Sequence, residues 1–255
     1  MKRISDVIRN VSIPINTGES GISNEPETYR CAICKDRQWL RVDAEPGHPN
    51  FGRLFPCECY VRDREERLSG ELFDLSQLQA LSEMTFARFD STIPGVRKCA
   101  YEAAVAYARN PAGWIFFHGS YGVGKTHLAV AIANEVLRNH TMGVYFRVVP
   151  DLLDQLRATF DPEHGVAYDE RFQQIRNAHL LILDDLGTEQ TTPWAREKLY
   201  QLFNHRYNEQ LPTVITSNQD YKHIDQRILS RMLDTRLSQR IFIEADDYRL
   251  MPVSK

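Results

Sequence analysis

Residues Gly119-Ser-Tyr-Gly-Val-Gly124-Lys125-Thr126 follow the apolar run Trp114–Phe117 and precede a stretch of helical spacing, Thr126–Asn139. G-x-x-x-x-G-K-T between a strand and a helix constrains the fold more than any other feature of the chain. The glycines let backbone N–H groups turn inward onto phosphate oxygens. The start of the helix offers its positive end to the same anion. Gly119, Gly122, Val123 and Gly124 are the expected cradle, and His127 is the next residue in contact range. Lys125 would reach the β- and γ-phosphates of ATP, and Thr126 would give its hydroxyl to Mg2+. Kinases, motors, switches and loaders all use such a grip, so the rest of the chain must decide among them.

From about Ala100 onward, apolar strands alternate with helical stretches. "GWIFFHG", "GVYFRVV", "HLLILDD", "PTVITSN" and "RIFIEA" read as strands. "THLAVAIANEVLRN", "PDLLDQLRATF" and "WAREKLYQLFNHRYNEQ" read as helices. Thr192-Pro193 supplies a cap and first-turn pair for the last of these. The alternation predicts an α/β fold, a parallel sheet with helices on both faces.

Hydrolysis needs more than a phosphate loop. "LLILDDLG" ends a buried strand in two carboxylates. Asp184 is placed to hold the Mg2+ shell, and Asp185 to orient or deprotonate the attacking water. Asn218 ends another core strand, where open parallel sheets bind ligands. It can bridge the γ-phosphate and the water, or serve as a turn residue. Phosphoryl transfer also needs positive charge beyond the γ-phosphate, which an Arg supplied in trans can give. Arg231 is the candidate, with Arg227 one helical turn earlier; either could equally be a solvated helix residue. Arg206 shares an apolar helix face with Leu199, Leu202 and Phe203, so it is expected to snorkel or to reach a charged ligand.

Cys31, Cys34, Cys57 and Cys59 form two close pairs, and Cys99 stands apart as an expected small core residue. Paired cysteines in a reducing compartment more often bind metal than form disulfides. Four thiolates suit a closed tetrahedral Zn2+ site, and a segment this small needs such a staple. His48 could replace one thiolate; a redox pair or free thiols would use the same residues. Ile4, Val7, Ile8 and Val11 lie at helical spacing, and a Pro/Gly/Ser-rich linker follows. The expected division is a 1–66 partner-binding module and a 67–255 ATPase domain. The net charge of −3 argues against a strongly basic nucleic-acid binder without excluding a local basic groove. The apolar runs are too short to span a bilayer, and the charged N-terminus lacks a signal-peptide core, so a cytoplasmic protein without membrane partners is expected.

"GSYGVGKTHLA", "LLILDDLG", "LPTVITSN", "SRML" and "DDYR", in this order, resemble the AAA+ ATPases of the DnaC/DnaI helicase loaders and the IstB transposition ATPases. "TFARFD" resembles the segment that leads into their core. The resemblance covers roughly Cys31 to Arg249. It implies an AAA+ P-loop ATPase core that assembles into rings or helical filaments, with hydrolysis completed between protomers. On that footing Arg231 corresponds to the trans-acting finger, Asn218 to the first sensor and Asp185 to the catalytic carboxylate. Many AAA+ proteins carry Glu at that last position, so slow hydrolysis is expected. Only 24 residues follow Arg231, too few for the usual helical lid, and Arg249 would partly replace the second sensor. The segment between "GVYFRVV" and "LLILDD" would track single-stranded DNA, with Arg157, Thr159, Tyr168 and Arg171 as candidates. DnaI-type loaders share the layout of a Cys-rich module before the ATPase, where the module grips the replicative helicase. The function so implied is an ATP-dependent helicase loader; the alternative is a transposition helper that binds duplex DNA and recruits a transposase.

Overall fold

The computed structural model of the protein describes residues 29–41, 45–46, 48–90, 97–139, 143–158, 166–189, 192–218 and 221–250. The amphipathic start at Ile4–Val11, the linker after it and Thr159 lie outside the described residues. The chain divides into two compact units, Met1–Glu65 and Glu66–Lys255.

In the first unit, β1 (Trp39–Arg41) pairs antiparallel with β2 (Leu54–Pro56). A tight knuckle precedes β1. The Lys35 amide donates to Cys31 O, Arg37 N donates to Cys34 O, and the Asp36 carboxylate accepts from the Arg30 and Cys31 amides. Lys35 and Asp36 adopt left-handed backbone, with φ of 50° and 61°, which folds Cys31 and Cys34 to one side. Helix α1 (Glu58–Leu75) begins beside Cys57 and runs on into the second unit.

The second unit is built on five parallel strands: β3 (Trp114–Gly119), β4 (Val144–Val148), β5 (Leu180–Asp184), β6 (Thr213–Ser217) and β7 (Ser238–Ile243). Their order across the sheet is β4-β5-β6-β3-β7. Alternation along β3 explains the layers. Trp114 and Phe116 join one core with Leu181, Leu183, Ile215, Leu202 and Phe203. Ile115 and Phe117 join the other with Ile182, Val214, Leu128, Ile132 and Val136. Both faces of the central strands are therefore buried, which is why these strands are continuous apolar runs.

Helix α2 (Glu102–Arg109) and α3 (Lys125–Asn139) cover one face; α4 (Val149–Ala158), α5 (Val166–Arg176), α6 (Pro193–Asn208) and α7 (Gln226–Met232) belong to the other. Thr192 caps α6 as its sequence predicts, its Oγ1 accepting from Ala195 N at 3.2 Å. No helix among the described residues is long and apolar enough to cross a membrane.

Three expectations change. Cys99 is exposed rather than a core residue; it lies in the π-helical segment Arg97–Tyr101, whose next residue, Ala100, takes the buried position. Tyr168 is 4% exposed and stacks on Phe172 within the core, so it offers no surface to a DNA strand. Arg206 neither snorkels nor reaches a ligand: it is 1% exposed and braces backbone. Its Nε donates to Thr213 Oγ1 (2.9 Å), Nη1 to Arg176 O (2.9 Å) and Ala178 O (2.8 Å), and Nη2 to Pro212 O (2.5 Å). One guanidinium thus ties the end of α5 to the approaches of β5 and β6.

Candidate functional site

The carboxyl ends of β3, β5 and β6 converge on one cleft of about 640 Å³. The phosphate loop leaves β3 with Gly119 at φ 148°, where a Cβ would run into the Ile243 carbonyl. Gly124 at φ 93° opens α3, and a Cβ there would lie 2.8 Å from the Phe89 ring. Of the expected nucleotide-binding residues, Gly122, Val123, Gly124, Lys125, Thr126 and His127 line the cleft; Gly119 ends β3 and does not line it.

Lys125 is 4% exposed, and its ammonium donates to Gly119 O (3.0 Å) and Ser120 O (2.5 Å). Burial pushes its pKa down, and the Asp185 and Asp184 carboxylates partly restore it. Thr126 Oγ1 donates to the Asp184 carboxylate, 3.0 Å from either oxygen. Asp184 also accepts from Thr216 Oγ1 at 2.6 Å. Burial raises the Asp184 pKa, against the pull of those two hydroxyls. A buried carboxylate beside a hydroxyl offers the hard oxygen donors that Mg2+ takes, so Thr126 and Asp184 fit the expected Mg2+ shell.

Asp185 has left-handed backbone, φ 56°, and lines the same cleft as Asp184. Asn218 Nδ2 donates to Asp185 Oδ1 at 2.7 Å. Asn218 therefore meets the carboxylate, and both line the cleft.

Two walls come from segments that only the family resemblance singles out, and from neighbours it does not. Met84 and, from the adjoining "TFARFD" segment, Arg88, Phe89 and Asp90 form one side. They are held by side chains of α3: His127 Nε2 lies 2.9 Å from Thr85 O, and Asn134 Nδ2 donates to Met84 O at 2.9 Å. Phe89 meets His127 edge-on and stacks on Tyr101. Tyr121, Tyr248 and Arg249 form the other lip, where Tyr248 N donates to Gly122 O at 3.1 Å. Arg249 thus joins the cleft, and its charge bears on Lys125.

Arg231 does not line this cleft. Its guanidinium donates to Asn204 Oδ1 and Arg227 O, both at 2.6 Å, and lies over the rings of Tyr200 and Tyr207. Arg227 stacks over Tyr200 at 4.1 Å and bonds Asp225. Arg157 is exposed over the Trp194 ring, and Arg171 is half-buried.

The four cysteines of the first unit bring their sulfurs within 4.8 Å of one another. Cys31 Sγ is 3.8 Å from Cys57 Sγ, and Cys34 Sγ is 3.3 Å from Cys59 Sγ. Ligands about 2.3 Å from a tetrahedral Zn2+ stand about 3.8 Å apart, so the donor set fits that ion. Backbone N–H groups of Cys34 and Ile33 lower the Cys31 thiol to about 7; burial raises Cys57, and the Cys34 thiol beside it raises Cys59. Four such sulfurs ionise together only against a cation. His48 is outside the cluster, its Nδ1 accepting from Asn50 N.

The family model described as IstB-like ATP binding protein matches residues 53–251. The replicative helicase loader DnaI of Bacillus subtilis (strain 168) is 26% identical over 209 residues, covering 75% of this chain and 65% of DnaI. The replicative helicase loader DnaC of Buchnera aphidicola subsp. Baizongia pistaciae is 28% identical over 151 residues, 58% of this chain and 61% of DnaC. The chain spans less than two thirds of either loader. A crystal structure of DnaI superposes with a TM-score of 0.51 at 27% identity, over 64% of this chain and 89% of that one. The replication initiator DnaA bound to AMPPCP and single-stranded DNA gives 0.55 at 24% identity, over 64% and 50%, and shares the fold.

Proposed function

The chain belongs to the IstB-like ATP-binding protein family of AAA+ P-loop ATPases, and on that premise we propose that it is an ATP-dependent helicase loader. In this reading an ATP-bound oligomer of the chain holds a hexameric replicative helicase and single-stranded DNA. The observation that carries the enzymatic part is the convergence of Lys125, Thr126, Asp184, Asp185 and Asn218 on one cleft. The likeness to DnaI over 75% of the chain supports the replication role.

The residues divide the work. The Gly122–Thr126 backbone cradles phosphate oxygens, and Lys125 leaves the Gly119 and Ser120 carbonyls to meet them. Thr126 and Asp184 would hold Mg2+, which would supply positive charge against the phosphates. Asp185 takes or orients the proton of the attacking water, and the Asn218 amide fixes the carboxylate that does so. Asp is one methylene shorter than Glu, which favours slow turnover. Arg231 lies outside its own cleft, and in this reading its guanidinium leaves Asn204 to meet the γ-phosphate held by a neighbouring copy. Cys31, Cys34, Cys57 and Cys59 would hold Zn2+ and so shape a helicase-gripping module.

A second reading is a transposition helper ATPase that binds duplex DNA and recruits a transposase; the IstB-like match over 53–251 favours it. The two separate in a pull-down with native-mass readout, using the full chain with ATP and Mg2+. Retention of a hexameric helicase, lost in a chain beginning near Arg67, supports the loader. Retention of a transposase with duplex DNA moves the function to transposition. ATP turnover that survives Asp185→Asn unchanged would overturn the role given to that carboxylate.

A further inference from the structure

The end of β6 touches the acidic turn at three consecutive residues. Ser217 Oγ donates to Leu186 O at 2.7 Å, and Asn218 meets the Asp185 carboxylate. Thr216, fully buried, does more with one hydroxyl. Its Oγ1 donates to Asp184 Oδ1 at 2.6 Å and accepts from the Asp185 amide at 2.9 Å. The Thr216 carbonyl also accepts from Leu186 N at 2.9 Å, so this residue grips the turn at three successive positions.

The grip matters because Asp185 is a non-glycine residue at φ 56°. Such backbone persists at functional sites only where the surroundings over-determine it. Here the Asp185 amide is held by Thr216, its carbonyl by Thr188 Oγ1 at 2.7 Å, and its carboxylate by Asn218. The left-handed turn brings two adjacent carboxylates to one cleft. Extended backbone would send them to opposite faces of the sheet.

We infer that Thr216 is a positioning residue for ATP hydrolysis, its hydroxyl setting the angle between the Asp184 and Asp185 carboxylates. This rests on the ATPase reading above. Thr216 is buried behind the residues that line the cleft, and acts through both acids. A hydroxyl with one proton and spare lone pairs can donate to one group and accept from the other, which valine cannot do.

The test compares Thr216→Val, of nearly equal shape, with Thr216→Ser, which keeps the hydroxyl. Phosphate release gives kcat and KM for ATP. Amide exchange at Asp185 is measured on the full chain without nucleotide. For Thr216→Val we expect kcat to fall about 10- to 100-fold, the effect of losing a hydrogen bond to a charged group, with KM within about twofold. Exchange at Asp185 quickens at least about tenfold as its amide loses its acceptor. Thr216→Ser restores both. Thr216→Ala is the second variant should valine impair folding. A kcat for Thr216→Val within about twofold of the parent, serine no better than valine, or unchanged protection at Asp185 would each overturn the inference. Absence of turnover in the parent chain would instead sink the ATPase reading, and the exchange measurement would still decide the role of Thr216 in holding the turn.

Discussion

Replacing Arg206 tests whether a charged residue on an apolar helix face is there for the backbone alone. Arg206→Met keeps the aliphatic stem and removes four hydrogen bonds. Two of the partners are compensated: Pro212 O still accepts from Leu181 N, and Thr213 Oγ1 still donates to Leu211 O. The Arg176 and Ala178 carbonyls lose their side-chain donor. An orphaned buried carbonyl costs about 1–3 kcal/mol, so the pair costs about 2–6 kcal/mol. Burial already pushes the guanidinium down to about 9, so it is held charged at neutral pH at some expense. Relief of that expense offsets part of the loss, and we expect a net destabilisation of about 2–3 kcal/mol. In a unit of this size that lowers the melting temperature by roughly 4–12 °C. Urea unfolding at pH 7.5, with and without ATP, is the assay. Arg206→Lys should fall between Met and the parent, because one ammonium cannot span carbonyls from α5 and from the approach to β6. A Met variant within about 0.5 kcal/mol of the parent would refute the bracing argument. Unchanged stability with lost nucleotide affinity would return Arg206 to the class of ligand-reaching residues.

Three further outcomes follow from the site. Burial raises the Asp184 carboxyl, so the folded chain holds its proton more tightly than the unfolded chain does, and above the raised pKa the ionised form costs stability. Asp184→Asn should therefore raise the melting temperature of the chain without nucleotide at pH 7.5 by at least about 2 °C. That gain should shrink as pH falls through the raised value toward the ordinary aspartate range near about 4, while affinity for Mg-ATP drops; a gain that grows on acidification contradicts the sign. Gly124→Ala forces a side chain into left-handed backbone against Phe89, and ATP affinity by titration calorimetry should fall at least about tenfold, about 1.4 kcal/mol. The chain purified without chelator should carry about one zinc by elemental analysis, lost in Cys57→Ser; a metal-free parent with all five thiols titratable would refute the four-sulfur site.

The strands were legible because burial on both faces leaves only apolar residues to choose, as in Leu180–Leu183, and α6 announced itself through Thr192-Pro193. Other features depend on where distant segments meet. The wall Met84–Asp90 has no periodicity, and its place is set by His127 and Asn134 reaching its carbonyls from α3. Arg206 shows the same limit. A guanidinium on an apolar stripe looks identical in sequence whether it meets a ligand or the ends of α5 and the approaches of two strands. Tyr168 and Arg157 sit on neighbouring helices, yet one is core and the other exposed, because only packing against Phe172 distinguishes them.

Thr216 lies between these cases, and its signal was available. A strand's period of two puts residues 216 and 218 on one side and Ser217 on the other. A lone asparagine at a strand end is a weak sign of function, since turns favour it. A threonine two residues earlier on a fully buried strand is a different matter, because its hydroxyl must find partners there. β6 neighbours β5, and β5 ends in paired carboxylates, so those partners are the acids. The polar run Thr216-Ser217-Asn218 is thus best understood as one template for the Asp184–Leu186 turn. Each side chain fixes a different atom of that turn, and the left-handed residue at its centre is the conformation all three hold in place.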